Sequence, residues 1–219
     1  MPSCRCKMCG GTINFEIDQN IATCEFCGSE QTIVSTNDTK KANLYNRANS
    51  LRLNSDFNKA LATYESIIFD YPDDAEAHWG ICLCRYGIEY VDDPKTGKKI
   101  PTCHRTVFNS IFDDIDYKEA INNSDVVSKR IYQKEAEEID KIQKSILAIS
   151  QKESPYDIFI CYKETDELGE RTKDSVIAQE IYTELSSKGY KVFFSRITLE
   201  SKLGSQYEPI IFAALQSAK

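Results

Sequence analysis

Two cysteine pairs near the amino terminus have the spacing of metal ligands. Each pair follows the pattern Cys-x-x-Cys-Gly, and the two copies are Cys6-Lys7-Met8-Cys9-Gly10 and Cys24-Glu25-Phe26-Cys27-Gly28. The two-residue spacer lets both thiolates of a pair face one ion, and the glycine permits the tight turn that aims backbone N–H groups at sulfur. Together, Cys6, Cys9, Cys24 and Cys27 predict a closed tetrahedral zinc site with no open position for a substrate.

The residues around these pairs predict a small β module. Polar and apolar residues alternate over 12–17, and residues 31–34 follow the second pair as another short strand. Residues 1–37 therefore resemble a zinc ribbon. A module this short cannot build an adequate apolar core alone, so we expect zinc to hold it together and its role to be structural or docking. Cys4 is a spare thiol that can replace Cys6 as a ligand, although only the Cys6 register duplicates the second pair.

The bulk composition disfavours several classes of protein. The 219 residues carry a formal net charge of −7, whereas a general binder of nucleic acid or of anionic membranes needs a basic face. A nucleic-acid-binding ribbon is therefore the weakest functional hypothesis. No apolar run approaches the roughly 18 residues of a membrane span, and the amino terminus lacks the apolar core of a signal peptide. We expect a cytoplasmic protein whose cysteines are metal ligands or buried thiols rather than disulfides.

Residues 40–150 predict a mainly helical middle region. Two amphipathic helices meet at residues 53–57, and Ala60, Tyr64 and Ile67 recur at helical spacing before Pro72 ends the unit. This pattern of small and aromatic residues is similar to the tetratricopeptide repeat, over one repeat and the first helix of a second. Stable solenoids normally need about three repeats. The region therefore predicts a helical support that contacts protein partners, rather than a long peptide groove.

A turn-rich stretch interrupts the helices. Residues 92–97 lie between two short β-type runs, which predicts a β-hairpin near 88–102. A second set of candidate metal ligands flanks it: Cys82, Cys84, Cys103 and His104. However, two cysteines that are two positions apart on a helix point in different directions. Buried cysteines and a hydrogen-bonded histidine are the favoured interpretation.

A long charged helix is predicted over residues 126–149. Its isoleucines at 139, 142, 146 and 149 repeat at a three–four–three spacing, which makes a seam for another helix. Such a seam can mediate self-association of two chains. The alternative is that it packs against helices of the same chain, and we favour this alternative.

From Pro155 the chain changes to an α/β pattern. Apolar runs at 156–162 and 190–194 predict two strands, separated by an amphipathic helix at 176–188. A further helix begins after the second strand. This order predicts a parallel sheet, whose ligand sites lie at the carboxyl ends of the strands. We expect the sheet to need strands beyond Lys219, so that this segment is the amino-terminal part of a domain.

The α/β segment matches a known pattern in several places. The strands 156–163 and 189–194, the loop 196–204 and the Tyr207–Glu208 step that opens the next helix occur in this order. Together they make residues 155–219 resemble the first part of a Toll/interleukin-1 receptor (TIR) domain, a flavodoxin-like fold with a parallel sheet. The resemblance implies that Glu208 is the catalytic glutamate. Four residues at the strand ends are candidate NAD contacts: Tyr162, Lys163, Arg171 and Arg196.

The resemblance also implies an activity for this multidomain chain. The order of ribbon, tetratricopeptide-like helices and TIR domain is similar to that of bacterial TIR proteins whose catalytic members cleave NAD at the nicotinamide–ribose bond. Such proteins commonly act in defence against phage or in signalling. A carboxylate can stabilise the positive charge that develops on the ribose. The alternative is a non-enzymatic scaffold acting through TIR–TIR and helical contacts, in which Ser205 and Glu208 form only a capping box.

Overall fold

The computed structural model describes residues 3–16, 19–34, 38–93, 95–152, 154–199 and 207–218, with only the backbone at 207–209 and 216. The chain divides into two compact units, Met1–Gln143 and Lys144–Lys219. The first unit holds the paired cysteines and the helical middle region, and the second holds the α/β segment. In the described part of the chain, no helix combines the length and the apolar character needed to cross a membrane.

Two antiparallel β-hairpins form the amino-terminal part of the first unit, which we call the ribbon. Their strands are β1 (Ser3–Arg5), β2 (Thr12–Asn14), β3 (Ile21–Thr23) and β4 (Glu30–Thr32). β1 pairs with β2 and β3 pairs with β4, so one Cys-x-x-Cys-Gly segment forms the turn of each hairpin. Ile13 and Ala22 point inward and are buried. The strands predicted at 12–17 and 31–34 are present in shortened form, each with a partner strand that no pattern indicated.

Three helices follow the ribbon and build the main core of the first unit. They are α1 (Thr39–Leu53), α2 (Phe57–Asp70) and α3 (Ala75–Arg85). Asp38 and Asp74 cap α1 and α3 by accepting hydrogen bonds from backbone N–H groups of the first turn, which would otherwise lack partners. The reversal between α1 and α2 includes Ser55, which has a φ of 58°. The structure therefore has the helix break predicted at 53–57 and the helix end predicted before Pro72.

The core between these helices is built from small and aromatic side chains. Ala48, Ala60 and Ala77 are completely buried, which lets the helices approach one another closely. Tyr64 packs among them, and its hydroxyl donates a 2.6 Å hydrogen bond to Asn49 Oδ1. The spacing of small and aromatic residues in the sequence thus corresponds to tight helix packing.

A β-hairpin and two further helices belong to the same unit. The elements are β5 (Ile88–Asp92), β6 (Lys99–Cys103), a short 3₁₀ helix (Ile111–Asp113), α4 (Ile115–Asn123) and α5 (Val126–Lys152), which continues into the second unit. Trp79 of α3 is completely buried, and its ring lies 5.3 Å from that of Tyr132 in α5 and 6.3 Å from that of Tyr117 in α4. Along α5, Ile139 and Ile146 are fully buried, so the chain itself covers the isoleucine seam at these positions.

The second unit contains a two-stranded parallel sheet. β7 (Ile158–Phe159) pairs with β8 (Val192–Phe193), with Ile158 opposite Val192 and Phe159 opposite Phe193. The helices are α6 (Lys173–Ser187), α7 (Ser195–Thr198) and α8 (Tyr207–Ser217). Both strands are shorter than the apolar runs that predict them. Within the ranges given above, the sheet consists of these two strands.

Helices cover both faces of this small sheet. Phe193 and Phe194 are both fully buried, and successive residues of an extended chain point to opposite faces. Phe193 packs with Ile210 and Ala214 of α8. Phe194 instead stacks on Tyr182 of α6, with ring centroids 5.2 Å apart. The second unit is therefore layered as helix, parallel strands and helix, which is the coarse arrangement of an α/β domain.

Substitution of Gly80 by alanine tests how closely the helical core is packed. A Cβ at this position would lie 2.5 Å from the ring of Tyr64, which Asn49 holds in place. Alanine favours a helix interior over glycine by about 1 kcal/mol, yet overpacking a tight core costs about 1–3 kcal/mol. We therefore expect Gly80→Ala to lower the midpoint of thermal unfolding, followed by circular dichroism. The loss should largely vanish in a Tyr64→Leu background, whereas an equal loss in both backgrounds would show that the ring is not the cause.

Candidate functional site

The four predicted cysteine ligands come together in the structure. The Sγ atoms of Cys6, Cys9, Cys24 and Cys27 all lie within 4.8 Å of one another. The sulfurs of Cys6 and Cys27 are 3.8 Å apart, and those of Cys9 and Cys24 are 3.6 Å apart. Tetrahedral zinc with bonds of about 2.3 Å separates its sulfurs by roughly 3.8 Å. The cluster can therefore hold one metal ion, and no other such group of His, Cys, Asp or Glu occurs among the described residues.

The two turns that carry the cysteines repeat one backbone geometry. In the first turn, the Gly10 N–H donates to the Cys6 carbonyl at 3.0 Å, and the Cys6 N–H donates to the Gly11 carbonyl at 2.8 Å. Gly28 and Cys24 make the equivalent bonds in the second turn. Gly10 and Gly28 have φ angles of 78° and 68°, a conformation that glycine adopts without strain. The sequence duplication is thus a duplication of local structure.

Several N–H groups point at the sulfurs of this cluster. The backbone nitrogens of Met8 and Gly11 lie 3.4 Å from the sulfurs of Cys6 and Cys9, respectively. Gln31, which is 1% exposed, donates from Nε2 to Cys6 Sγ at 2.9 Å. Hydrogen bonds of this kind favour the charged thiolate, which is the form that binds a metal. The donor set therefore fits a thiolate-bound ion.

Three thiols of the cluster differ in their proton affinity. Burial raises the pKa of Cys9 to about 12 and also raises the pKa of Cys24. Burial acts in the same direction on Cys27, but hydrogen bonds with Ser29, Cys9 and Cys24 together outweigh it and lower the pKa of Cys27 to about 7. Of these three groups, Cys27 loses its proton first. Cys9 and Cys24 keep theirs at neutral pH until a metal displaces them.

The other cysteines of the first unit lie outside this cluster. Burial raises the pKa of Cys4 to about 11, so Cys4 remains a thiol at neutral pH. Three further cysteines are buried: Cys82, Cys84 and Cys103. His104 Nε2 lies 2.6 Å from the carboxylate of Glu89. These contacts agree with buried thiols and a hydrogen-bonded histidine, the interpretation favoured over a second metal site.

Two candidate NAD contacts meet at the carboxyl ends of the parallel strands. Tyr162 follows β7, and its hydroxyl lies 3.0 Å from Ser195 Oγ at the start of α7. Its ring stacks on Phe194 with centroids 5.0 Å apart. Arg196, also in α7, donates to the Glu164 carboxylate at 3.2 Å. The loops that leave both strands therefore touch at one edge of the sheet, where parallel sheets place ligand sites.

The other two candidates lie on the loop that follows β7. Lys163 is exposed next to Tyr162. The Nε of Arg171 donates to Ser175 Oγ at 2.9 Å, which ties this guanidinium to the first turn of α6. Burial and the neighbouring Glu164 raise the pKa of Tyr162, so its hydroxyl keeps its proton at neutral pH. The Tyr162 hydroxyl and the Arg196 guanidinium thus lie where the two loops meet, whereas the Arg171 guanidinium is bonded to α6.

The predicted catalytic glutamate lies in the first turn of α8, which begins at Tyr207. The side chain of Glu208 is outside the described part of the structure, as is Ser205, its partner in the predicted capping box. The helix itself is positioned by Ile210 and Ala214, which pack against Phe193.

Residues that the sequence did not single out surround the four-cysteine cluster. Lys7 lies between Cys6 and Cys9 in the sequence, yet its side chain is 8% exposed and forms a 2.7 Å ion pair with Glu76 of α3. Gln31 of β4 contacts both the first turn and a ligand sulfur. A lysine in a turn normally faces water, and an acidic residue in a first helical turn is explained by the helix dipole alone. No local pattern marks these residues, because their partners are distant in the sequence.

Comparison of the chain with protein-family models, with curated proteins and with solved structures finds no match. Two features of the structure are open to a functional interpretation, the four-cysteine cluster and the group of polar residues at the strand ends.

Each clustered cysteine should be required for tight metal binding. Removing a residue that merely orients a ligand typically costs about 10–100-fold in affinity, so we expect Cys6→Ser or Cys24→Ser to cost more than about 100-fold. Competition with a chromophoric chelator measures this loss. Cys4→Ser is the matched control and should bind zinc like the wild type. Equal losses for Cys4→Ser and Cys6→Ser would show that Cys4 is a ligand.

Zinc binding should release protons at pH 7. Cys9 and Cys24 are protonated in the metal-free cluster because burial raises their pKa values, and both must become thiolates to bind. Apparent affinity should therefore rise with pH and fall as the solution is acidified. Titration calorimetry in buffers of different ionisation enthalpy counts the protons. We expect two or more per zinc, and a binding enthalpy independent of the buffer would contradict the thiol assignment.

Proposed function

We propose that this chain belongs to an effector that cleaves NAD at the nicotinamide–ribose bond, with Glu208 as its catalytic residue. NAD would lie at the carboxyl edge of the parallel strands, beside Tyr162 and Arg196. The observation that carries this proposal is that loops from both strands meet at that edge, through the Tyr162–Ser195 and Arg196–Glu164 contacts. An α/β sheet that binds a nucleotide does so at such an edge.

The layering of the second unit supports the same proposal. The order of β7, α6, β8 and α8, with a helix on each face of the strands, is the order that the TIR resemblance implies. We infer a flavodoxin-like sheet from this order. Glu208 then stands in the first turn of α8, which follows β8 and α7, at the aromatic–Glu step where catalytic TIR domains carry their glutamate.

Glu208 and the cationic residues have different roles in the proposed reaction. Breaking the N-glycosidic bond develops positive charge on the ribose, which a carboxylate at Glu208 would stabilise while it orients the sugar hydroxyls. Nicotinamide leaves with the electron pair of the broken bond. Water then bonds to the ribose carbon and releases a proton to solvent, or a nucleophilic atom of the ADP-ribose itself bonds there instead. Arg196 and Lys163 supply positive charge for the pyrophosphate. Arg171 lies on the same loop as Lys163. Glu164 keeps the Arg196 guanidinium at this edge in the absence of a ligand.

The first unit has a supporting role in this proposal. Four thiolates with no open position suit zinc in a structural role rather than in catalysis. The helical region, which is similar to a tetratricopeptide repeat, would contact protein partners that trigger or assemble the effector. We place the protein in the cytoplasm, where thiols remain reduced. The resemblance to bacterial TIR proteins suggests defence against phage or signalling as the setting.

A non-enzymatic scaffold is the second candidate function. Exposed apolar side chains on α6 favour it, because Val176 is 44% exposed, Ile177 is 53% exposed and Ile181 is 44% exposed. Apolar groups gathered on one helix commonly mark a contact with another domain. In this reading the TIR-like unit recruits other TIR domains and turns over no NAD.

Glu208 distinguishes the two candidate functions. We expect the full-length, assembled protein to release nicotinamide from NAD, followed by chromatography. Glu208→Gln should slow this release by roughly 100-fold or more, since the amide cannot offset the charge on the ribose. Glu180→Gln is the matched control, because Glu180 is exposed on α6, and it should keep wild-type activity. Equal rates of NAD loss in wild type and Glu208→Gln would reject the catalytic role, and no NAD loss in an assembled wild type would favour the scaffold.

A further inference from the structure

The first cysteine turn is joined to the helical core by a buried polar network. Lys7 Nζ donates to Glu76 Oε1 at 2.7 Å and to Thr32 Oγ1 at 2.5 Å. The side chains of Lys7 and Glu76 are only 8% and 13% exposed. Glu76 also accepts a 2.8 Å hydrogen bond from the hydroxyl of Tyr132. One carboxylate of α3 therefore binds the ribbon on one side and α5 on the other.

Arg52 makes a second buried connection between the ribbon and the helices. It is 1% exposed, and its guanidinium donates to the Lys7 carbonyl and, at 3.2 Å, to the Ile88 carbonyl of β5. The same group lies over the ring of Tyr90, 5.4 Å from its centroid. Because the Lys7 carbonyl belongs to the metal-binding turn, the bonding of Arg52 depends on the shape of that turn.

Gln31 links this network to a ligand sulfur. Its Oε1 accepts a 2.8 Å hydrogen bond from the Lys7 N–H, and its Nε2 donates to Cys6 Sγ at 2.9 Å. Gln31 therefore bridges the sulfur of Cys6 and the backbone of Lys7, so a displacement of that sulfur is transmitted to Lys7.

The cost of unpaired buried charge makes this network sensitive to the metal. A small ribbon cannot hold its turns by apolar packing alone, so loss of the ion frees the first turn to change shape. A first turn of a different shape would separate Lys7 from Glu76 and the Lys7 carbonyl from Arg52. Both charged groups would then lose partners inside the protein, and breaking one partner from a buried pair is strongly destabilising.

We propose that the metal ion at the four cysteines stabilises the helical core of the first unit, with Lys7 coupling the two. Lys7 is a positioning residue, since it contacts Glu76 and not the ion. Zinc loss then loosens α3 and α5 together with the ribbon, which makes the state of the helical region responsive to metal supply. The inference rests on the four-cysteine site and is independent of NAD cleavage.

Trp79 reports on the helical core separately from the ribbon. It is the only tryptophan of the chain, it is completely buried in α3, and its Nε1 donates to Glu135 of α5 at 2.9 Å. Unfolding followed by tryptophan fluorescence, with zinc bound and after its removal by a chelator, therefore tests the coupling. We expect zinc removal to lower the Trp79 midpoint by roughly 5 °C or more, and added zinc to restore it.

The wild-type comparison can overturn the proposal without any variant. An unchanged Trp79 midpoint in protein shown to have lost its zinc would reject the coupling while leaving the metal site intact. Failure of the folded protein to bind zinc at all would reject the coupling together with the metal site. A loss of NAD cleavage bears on neither result, because the readout is the fluorescence of Trp79.

Two variants test whether Lys7 carries the coupling. Lys7→Met and Glu76→Gln should still bind one zinc, yet show about half or less of the wild-type zinc-dependent shift. Lys40→Met is the matched control, because Lys40 forms an ion pair of the same 2.7 Å length with Asp70 at a site where its side chain is 72% exposed. It should show the full shift. Equal shifts in Lys7→Met and Lys40→Met would reject Lys7 as the coupling residue.

Discussion

Lys7 and Glu76 form an ion pair that is largely hidden from water, and such a pair is favourable only when both charges are fully hydrogen-bonded. Thr32 and Tyr132 complete the bonding of the carboxylate. These donors come from the ribbon and from α5, while the carboxylate comes from α3. The packing of Trp79 against Tyr132 occurs next to this pair. One buried carboxylate, that of Glu76, thus fixes the position of the ribbon, the start of α3 and the course of α5. The first cysteine turn supplies its cationic partner, Lys7.

The second unit depends on a different constraint, the alternation of side chains along an extended chain. Phe193 and Phe194 point to opposite faces of the strands, so α8 packs on one face and α6 on the other. The helices cover the two faces of the strands, and polar residues lie at the carboxyl ends of the strands. Tyr162 and Arg196 meet there because their loops leave parallel strands that end side by side.

Features that depend on local sequence could be predicted, and features that depend on distant partners could not. The cysteine cluster follows from ligand spacing and from glycines at positive φ, and the helix break near Ser55 follows from the loss of apolar periodicity. The pair of Lys7 and Glu76 joins residues 69 positions apart, and neither residue is apolar, so no periodicity could reveal it. The NAD site stays a prediction, because it depends on Glu208 and on a resemblance.

If zinc and the helical core form one cooperative structure, the backbone amides of α3 must respond to the metal. Amide hydrogen exchange followed by mass spectrometry measures this directly, since it reports local opening peptide by peptide. We predict that zinc removal accelerates exchange in the peptide Ala75–Arg85 as well as in the ribbon, while Lys173–Ser187 of the second unit is unaffected. An acceleration confined to the ribbon would contradict the coupling of metal and helices.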